Sequence, residues 1–513
     1  MESQRIKVSI LWVLLAALFL RIILSMTTSF DSDEAFSYFL SRLSFKELFS
    51  ELYFDRHPPF FYLLHHFLAL LTSSSFILRI PALGCSAISL VLIFLLGREL
   101  FREKQWALWA AILYGVAFGA WHLDFRARMY APAQLFQLLA TLTFLKFRAG
   151  NRRAIWMYIL SMTAAVYTLY FSTLIFLAHG LTVLLLRDWK TLKTLIVPVG
   201  ILLLPLAYFF HVQTSFAIIP SFWFLKIYSA HLYPWFLGVT PFLAAYGHVM
   251  PWTMPVLAWC GFLSCILFLF QVLALQKWSR ENRAGALLLG CMFVTHVIGI
   301  LLLSQMKGVF LRERYFYLFF PYFILILITV LKFVSSSAMK QSFLFGFIGL
   351  NLVLFAHYST SSFLWGENMK PIADKITKDD NPSDLVAVSL PPPAFVAFNY
   401  FFAPDRYRLQ LRGNRPSFDY QGKPAEYYVA TAEDLEKAIP EKAHFRALWL
   451  VVNQRRYVVL KSDGRTARLD SQQELLKDLM KRYALVFSGE VVQFDLNGED
   501  VDRVYEFKGL KHT

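Results

Sequence analysis

From Val8 to about Tyr358 the chain repeats one pattern, a run of 17 or more mostly apolar residues followed by a short polar turn. Each run is long enough to cross a bilayer core of about 30 Å as a helix. The pattern predicts eleven spans, at about 8–26, 80–97, 106–122, 131–147, 154–170, 171–186, 194–210, 252–275, 284–304, 315–331 and 342–358. Pro59–Leu71 is apolar but only 13 residues long and carries His65 and His66, which suits a re-entrant or interfacial helix. In the first polar gap, Ala35–Leu43 and Phe45–Tyr53 read as amphipathic helices. After Ser359 the apolar runs shorten. There Asp384–Leu390 and Ala447–Val452 read as strands, and Glu433–Ile439 and Gln472–Arg482 as helices. The fold class expected is a polytopic α-helical membrane protein with a small C-terminal α/β domain. Its divisions are 1–358 for the membrane domain, with an outer loop at 27–79, and 359–513 for the soluble domain.

Composition agrees with the pattern. The 513 residues are 57% hydrophobic, beyond what a soluble globular chain carries. Charge adds the topology. The net charge is +15, yet the tail balances 22 Lys and Arg against 22 Asp and Glu, so the excess lies in the membrane part. This favours topology signals and anionic lipid ligands and excludes a nucleic-acid partner, which needs a basic face on a soluble domain. With the N-terminus inside and Pro59–Leu71 not spanning, the inner segments hold 17 Lys and Arg in about 50 residues, against 10 in more than twice that length outside. The 27–79 loop, the Trp121–Tyr130 turn, the His211–Pro251 segment, the Gln305–Arg314 turn and the tail then share the outer side. Met1–Lys7 and Val8–Met26 resemble a signal sequence without a small-residue cleavage site, so an uncleaved first helix is expected. Cys85, Cys260, Cys265 and Cys291 all sit in apolar runs and read as core residues.

The polar constellations that are not topology signals fall on the outer face. One is Asp31, Asp33 and Glu34, in a gap that holds six acids between Thr27 and Arg56. A second is His57-Pro58-Pro59, with Arg79-Ile80-Pro81 at the mouth of the next span. The third is Asp124-Phe125-Arg126-Ala127-Arg128-Met129-Tyr130, and the fourth is Lys307 with Arg312-Glu313-Arg314-Tyr315. Ionisable residues this dense at a lipid boundary mark function more often than chance. Carboxylates with guanidiniums suit transfer of a sugar to a hydroxyl. A carboxylate takes the hydroxyl proton, and forked arginine donors hold a phosphate leaving group. Each group also has a plainer role open to it. Asp33 and Glu34 suit the first turn of a helix, Arg79 and Arg21 suit snorkelling, and Arg126, Arg128, Arg312 and Arg314 suit outer-face pairing with Asp124 and Glu313. A transporter or flippase for a lipid-linked or anionic solute is the alternative, although its ionisable residues belong near the bilayer midplane in paired half-repeats, and none is visible.

The order Asp33-Glu34-Ala35, His57-Pro58-Pro59-Phe60-Phe61-Tyr62, Arg79-Ile80-Pro81, Arg128-Met129-Tyr130-Ala131 and Arg314-Tyr315 resembles the GT-C superfamily. Within it the likeness is to the protein O-mannosyltransferase / aminoarabinose transferase-like group, which depends on polyprenyl-phosphate sugars. It covers about residues 8–330 and the opening of the tail at Ile372–Val388. The resemblance implies a plasma (inner) membrane enzyme acting on the periplasmic or extracytoplasmic side. Its donor would be a polyprenyl-phosphate-linked sugar, and its acceptor a glycan, lipid or protein. It implies Asp33 as general base with Glu34 beside it, His57 and the Pro58-Pro59 turn shaping the loop, and inversion at the anomeric carbon. The resemblance implies Arg79, Arg128 and Arg314 as candidates to hold the donor phosphate or line the cavity, and the outer-face constellations add Arg126, Tyr130, Lys307, Arg312 and Tyr315 as candidate substrate-binding residues. Members often show Gln-Glu-Ala-Arg where this chain has Phe125-Arg126-Ala127-Arg128, so a cation stands in the place of an acid at Arg126. Some relatives use a divalent metal, and here no ligand set identifies one.

Overall fold

The computed structural model describes residues 2–55, 57–215, 282–303, 317–360, 369–378 and 392–402, the strands named below, and positions 273, 276–278 and 404. The span expected at 252–275 falls outside these residues apart from 273, as do Glu433–Ile439 and Gln472–Arg482. The described chain packs as two compact units. One is Met1–Thr27 with Ser44–Ser359, the other Thr28–Leu43 with Thr360–Thr513.

In the first unit, α1 is Glu2–Thr27, α3 Phe45–Leu52, α4 Phe60–Leu71 and α5 Ser75–Phe101. There follow α6 Lys104–Val116, α7 Phe118–Asp124, α8 Tyr130–Arg148, α9 Ala154–Thr168 and α10 Thr173–Leu185. Trp189–Leu202 and Leu204–Ser215 (α11) form a pair bent by 41°. Last come α12 Arg283–Leu303, α13 Phe320–Phe333 and α14 Ser337–Thr360. Among the described residues, Ser75–Phe101 and Ser337–Ala356 are each long and apolar enough to cross a membrane alone. Small residues bring helices close, as in many membrane bundles. A Cβ on Gly97 of α5 would stand 2.8 Å from the Ala107 backbone of α6, and one on Gly119 would meet the Phe320 ring at 2.7 Å.

Turns that the charge bias groups together do meet one another. Arg148 pairs with Asp188 at 3.1 Å and Lys332 with Glu103 at 3.3 Å. The Asn282 amide donates to the Leu100 carbonyl at 3.1 Å. At the opposite grouping, the amide of Gln213 donates to the Leu52 and His57 carbonyls.

The run expected as one straight span at 106–122 is instead two helices, broken at extended Ala117 and bent by 58°. A break within an apolar helix exposes backbone donors and acceptors that apolar surroundings cannot satisfy. Here side chains satisfy them. The Phe118 N–H donates to Asn351 Oδ1 of α14 at 2.7 Å, Trp121 Nε1 donates to the Val116 carbonyl at 3.0 Å, and Arg21 Nη1 donates to the Gly115 carbonyl at 2.8 Å. The same Arg21 pairs with Asp124 at the end of α7, Nη2 to Oδ2 at 2.6 Å, with both side chains wholly buried. Ser86, Tyr114 and Tyr317 hydroxyls also donate to the Asp124 carboxylate. Arg21 therefore does not snorkel, and the pairing of Asp124 with Arg126 or Arg128 gives way to this one. The reason is geometric, because α1 crosses beside the break.

In the second unit, α2 (Ser32–Arg42) joins α15 (Lys370–Lys378), α16 (Pro392–Phe402) and the strands. Strands β1 Leu385–Ser389, β4 Glu426–Tyr428, β5 Leu448–Asn453, β8 Tyr483–Asp495 and β9 Gly498–Leu510 form a mixed sheet in the order β4-β1-β5-β9-β8. β1 runs parallel to β4 and β5, and β9 runs antiparallel to β5 and β8. Two ribbons, β2 Tyr407–Gln410 with β3 Ser417–Tyr420 and β6 Val458–Leu460 with β7 Thr466–Arg468, stand apart from that sheet.

Removing one partner of a buried ion pair strands the other charge, at a cost of about 3–5 kcal/mol. Asp124→Ala should lower the thermal midpoint in detergent markedly, and the double change Arg21→Met with Asp124→Leu should recover part of the loss. A wild-type melting curve for Asp124→Ala would remove Asp124 as the hub of the bundle.

Candidate active site

The acid helix α2 starts with a reciprocal cap. Asp31 Oδ1 accepts the Glu34 N–H at 2.8 Å, and Glu34 Oε2 accepts the Asp31 N–H at 3.3 Å. The two neighbouring acids are thereby separated in role. Glu34 is buried and holds the helix start, while Asp33 is half-buried in the same first turn, where the helix dipole favours an anion. The capping role open to both acids falls to Glu34.

The first unit builds a second constellation from the His57 loop. His57 Nδ1 lies 3.1 and 3.2 Å from the two oxygens of Asp55, and the Tyr62 hydroxyl donates to Asp55 Oδ2 at 2.8 Å. An ionised carboxylate accepts only, so it takes the Nδ1–H and leaves Nε2 as the ring's other functional nitrogen. Burial first, then the Asp55 charge, push the Tyr62 hydroxyl well above its usual 10, with Arg128 acting in the opposite sense. Tyr62 therefore remains a proton donor. The loop is fixed from behind. Gln213 Nε2 donates to the Leu52 carbonyl at 2.6 Å and the His57 carbonyl at 3.1 Å, and Tyr170 donates to Gln213 Oε1 at 2.6 Å.

Arg128 is buried and acts on both Tyr62 and His65, so the structure joins it to the His57 loop through α4. Arg126 is half-buried, and its Nε donates to the His122 carbonyl at 3.1 Å. Arg79 is buried rather than snorkelled. Its Nη1 donates to the Ser25 carbonyl near the end of α1 at 2.9 Å, and its guanidinium lies 5.2 Å from the centre of the Phe125 ring. Tyr130 is buried at the start of α8, edge-on to Tyr317 at 6.3 Å. Lys307, Arg312, Arg314 and Tyr315 lie outside the described residues, as does Arg56. Among the described residues no group of three or more His, Cys, Asp or Glu is placed to hold a metal ion.

Reasoning from sequence did not single out Tyr62, Gln213 or the Arg21–Asp124 pair as functional. Gln213 carried a usable signal, as a polar residue directly after the mostly apolar stretch Leu204–Val212. Tyr62 carried one in its place seven residues after Asp55.

Residues 55–213 match the family model for dolichyl-phosphate-mannose-protein mannosyltransferase, a range that begins at Asp55 and ends at Gln213. Over the whole chain, the structure is similar to crystal structures of ArnT from Cupriavidus metallidurans. The form bound to undecaprenyl phosphate superposes with a TM-score of 0.52 at 12% identity, covering 96% of this chain and 97% of that one. The apo form gives 0.51 at the same identity and coverage. No curated protein sequence matches the chain. The chain therefore shares the fold of the ArnT structures, and its apolar helices are those of a multi-pass membrane protein. The match to the mannosyltransferase model is confined to the stretch that carries the His57 loop and Arg128.

Burial first, and then the Arg128 charge, lower the His65 imidazole from its ordinary 6.5 to about 4, although a hydrogen bond with the Leu78 backbone opposes this. A histidine held neutral in the fold takes up protons more readily when unfolded, so stability is complete above about 6.5 and falls as pH drops toward about 4. His65→Gln should flatten that acid-side slope in melts recorded from pH 7 to 4. An unchanged slope would show that His65 does not contribute to it.

Proposed function

We propose that this protein is an integral-membrane glycosyltransferase that moves a sugar from a polyprenyl-phosphate carrier to an acceptor hydroxyl on the outer, extracytoplasmic face. The observation that carries the reading is the clustering of Arg128, Tyr62, His57 and Asp55 within the stretch matched by the mannosyltransferase model. The fold shared with an ArnT structure bound to undecaprenyl phosphate supports a donor of that class.

In this reading Asp33 accepts the proton of the acceptor hydroxyl as its oxygen attacks the anomeric carbon. The bond from that carbon to the phosphate oxygen breaks, and the electron pair leaves on polyprenyl phosphate, with inversion and no covalent enzyme intermediate. Arg128 and His57, the latter held by Asp55, bind the phosphate and stabilise the charge that collects on it. Arg126, Lys307, Arg312, Arg314 and Tyr315 remain candidates for donor and acceptor contacts, and Arg79 for holding the end of α1. In this reading residues 1–358, apart from the Thr28–Leu43 segment that packs with the tail, form the domain embedded in a plasma membrane, and 359–513 belong to an extracytoplasmic one.

The test uses a panel of synthetic undecaprenyl-phosphate pentoses and hexoses with extracted envelope glycans, lipids and proteins as acceptors, following release of undecaprenyl phosphate. Wild type should release it, and Asp33→Asn should lower kcat by about 10²–10⁴-fold, the usual contribution of a general base, while still binding donor. Glu34→Ala opens the capping box and should mainly lower stability, by about 1 kcal/mol. Full activity in Asp33→Asn would move the base elsewhere. No release by wild type across the panel would favour the transporter or flippase.

A further inference from the structure

The helix that carries Asp33 belongs to the compact unit formed by the C-terminal region, some 350 residues further along the chain. The contacts responsible are specific. Phe30, just before the cap, stacks on Tyr400 of α16 with ring centres 4.2 Å apart and planes 22° apart. Tyr38, two turns into α2, meets the same Tyr400 ring edge-on at 5.2 Å and 89°. At the other end of α2, Arg42 Nη1 donates to the Tyr38 hydroxyl at 2.7 Å and to the Pro404 carbonyl at 3.1 Å. All three rings are buried. One tyrosine of the C-terminal region thus grips α2 on both sides of Asp33, and a main-chain carbonyl of the same region fixes its far end.

We propose that Tyr400 is a positioning residue for the acceptor-activating carboxylate: it holds α2 so that Asp33 keeps its reacting geometry. The proposal rests on the reading of Asp33 as general base. It gives the C-terminal region a part in turnover itself, distinct from any choice of acceptor. Displacing a catalytic group by about 1 Å costs on the order of 100-fold in rate, so a loosened helix is felt in turnover before it is felt in folding.

The experiment measures release of undecaprenyl phosphate by the purified full-length protein, with Tyr400→Ala, Tyr400→Phe and Phe30→Ala beside wild type. Tyr400→Ala should lower kcat by about 100-fold and leave the donor KM unchanged. Tyr400→Phe keeps the ring and should retain wild-type turnover. In an Asp33→Asn background Tyr400→Ala should add no further loss, because both act through the same carboxylate. A multiplicative loss in that background, or wild-type turnover by Tyr400→Ala, overturns the proposal. If Tyr400→Ala does not give monodisperse protein, Phe30→Ala removes the same stack from the other side, with the same expectations.

Amide hydrogen exchange across residues 32–42 forms a second arm that needs no turnover. It should accelerate in Tyr400→Ala and not in Tyr400→Phe, and unchanged protection overturns the grip. No release by wild type would sink the glycosyl-transfer reading and the catalytic half of this proposal with it, and exchange alone would then decide the grip.

Discussion

The ion pair between Arg21 and Asp124 is the contact on which the first unit depends. A helix that breaks inside a bilayer must find partners for the backbone groups it exposes, and a buried charge must find its opposite. One guanidinium meets both requirements here. It fills the Gly115 carbonyl at the end of one half-helix and neutralises the carboxylate at the end of the next. Ser86, Tyr114 and Tyr317 occupy further acceptor positions on that carboxylate, so α1, α5, α6, α7 and Tyr317, three residues before α13, converge on a single group. The short loop that follows Asp124 carries Arg126 and Arg128, and its starting point is set by this arrangement.

Much of the helical architecture was legible in the hydrophobic pattern because lipid enforces it. An apolar run of sufficient length has few alternatives, which is why Pro59–Leu71 read as a short helix and appears as Phe60–Leu71. The strands at Leu385–Ser389 and Leu448–Asn453 were legible for a related reason, since both are β-branched or apolar runs bounded by polar residues. The break at Ala117 was not legible. Nothing in Ala117-Phe118-Gly119 demands it locally, and it is stabilised by Arg21 and Asn351 from elsewhere in the chain.

The site residues divide along the same line. That Asp33 and Glu34 begin a helix follows from local spacing, and so does the cap. Which acid the cap consumes depends on the rotamer that closes the Asp31–Glu34 ring. Arg79 and Arg128 look equivalent in sequence, each an arginine at a helix mouth. The fold gives one to the end of α1 and to Phe125, and the other to Tyr62 and His65. That difference is tertiary, and a pattern read along the chain does not contain it.

The stack of Phe30 on Tyr400 also sets an order of events during biosynthesis. The acid helix leaves the ribosome early, and the ring that clamps it emerges about 350 residues later. At 5–20 residues per second this is a wait of roughly 20–70 s. Throughout that interval the membrane helices are being inserted while α2 lacks its aromatic clamp. A nascent or prematurely terminated chain that ends before Pro392 therefore carries every membrane-domain residue discussed above and still lacks the ring that clamps its acid helix.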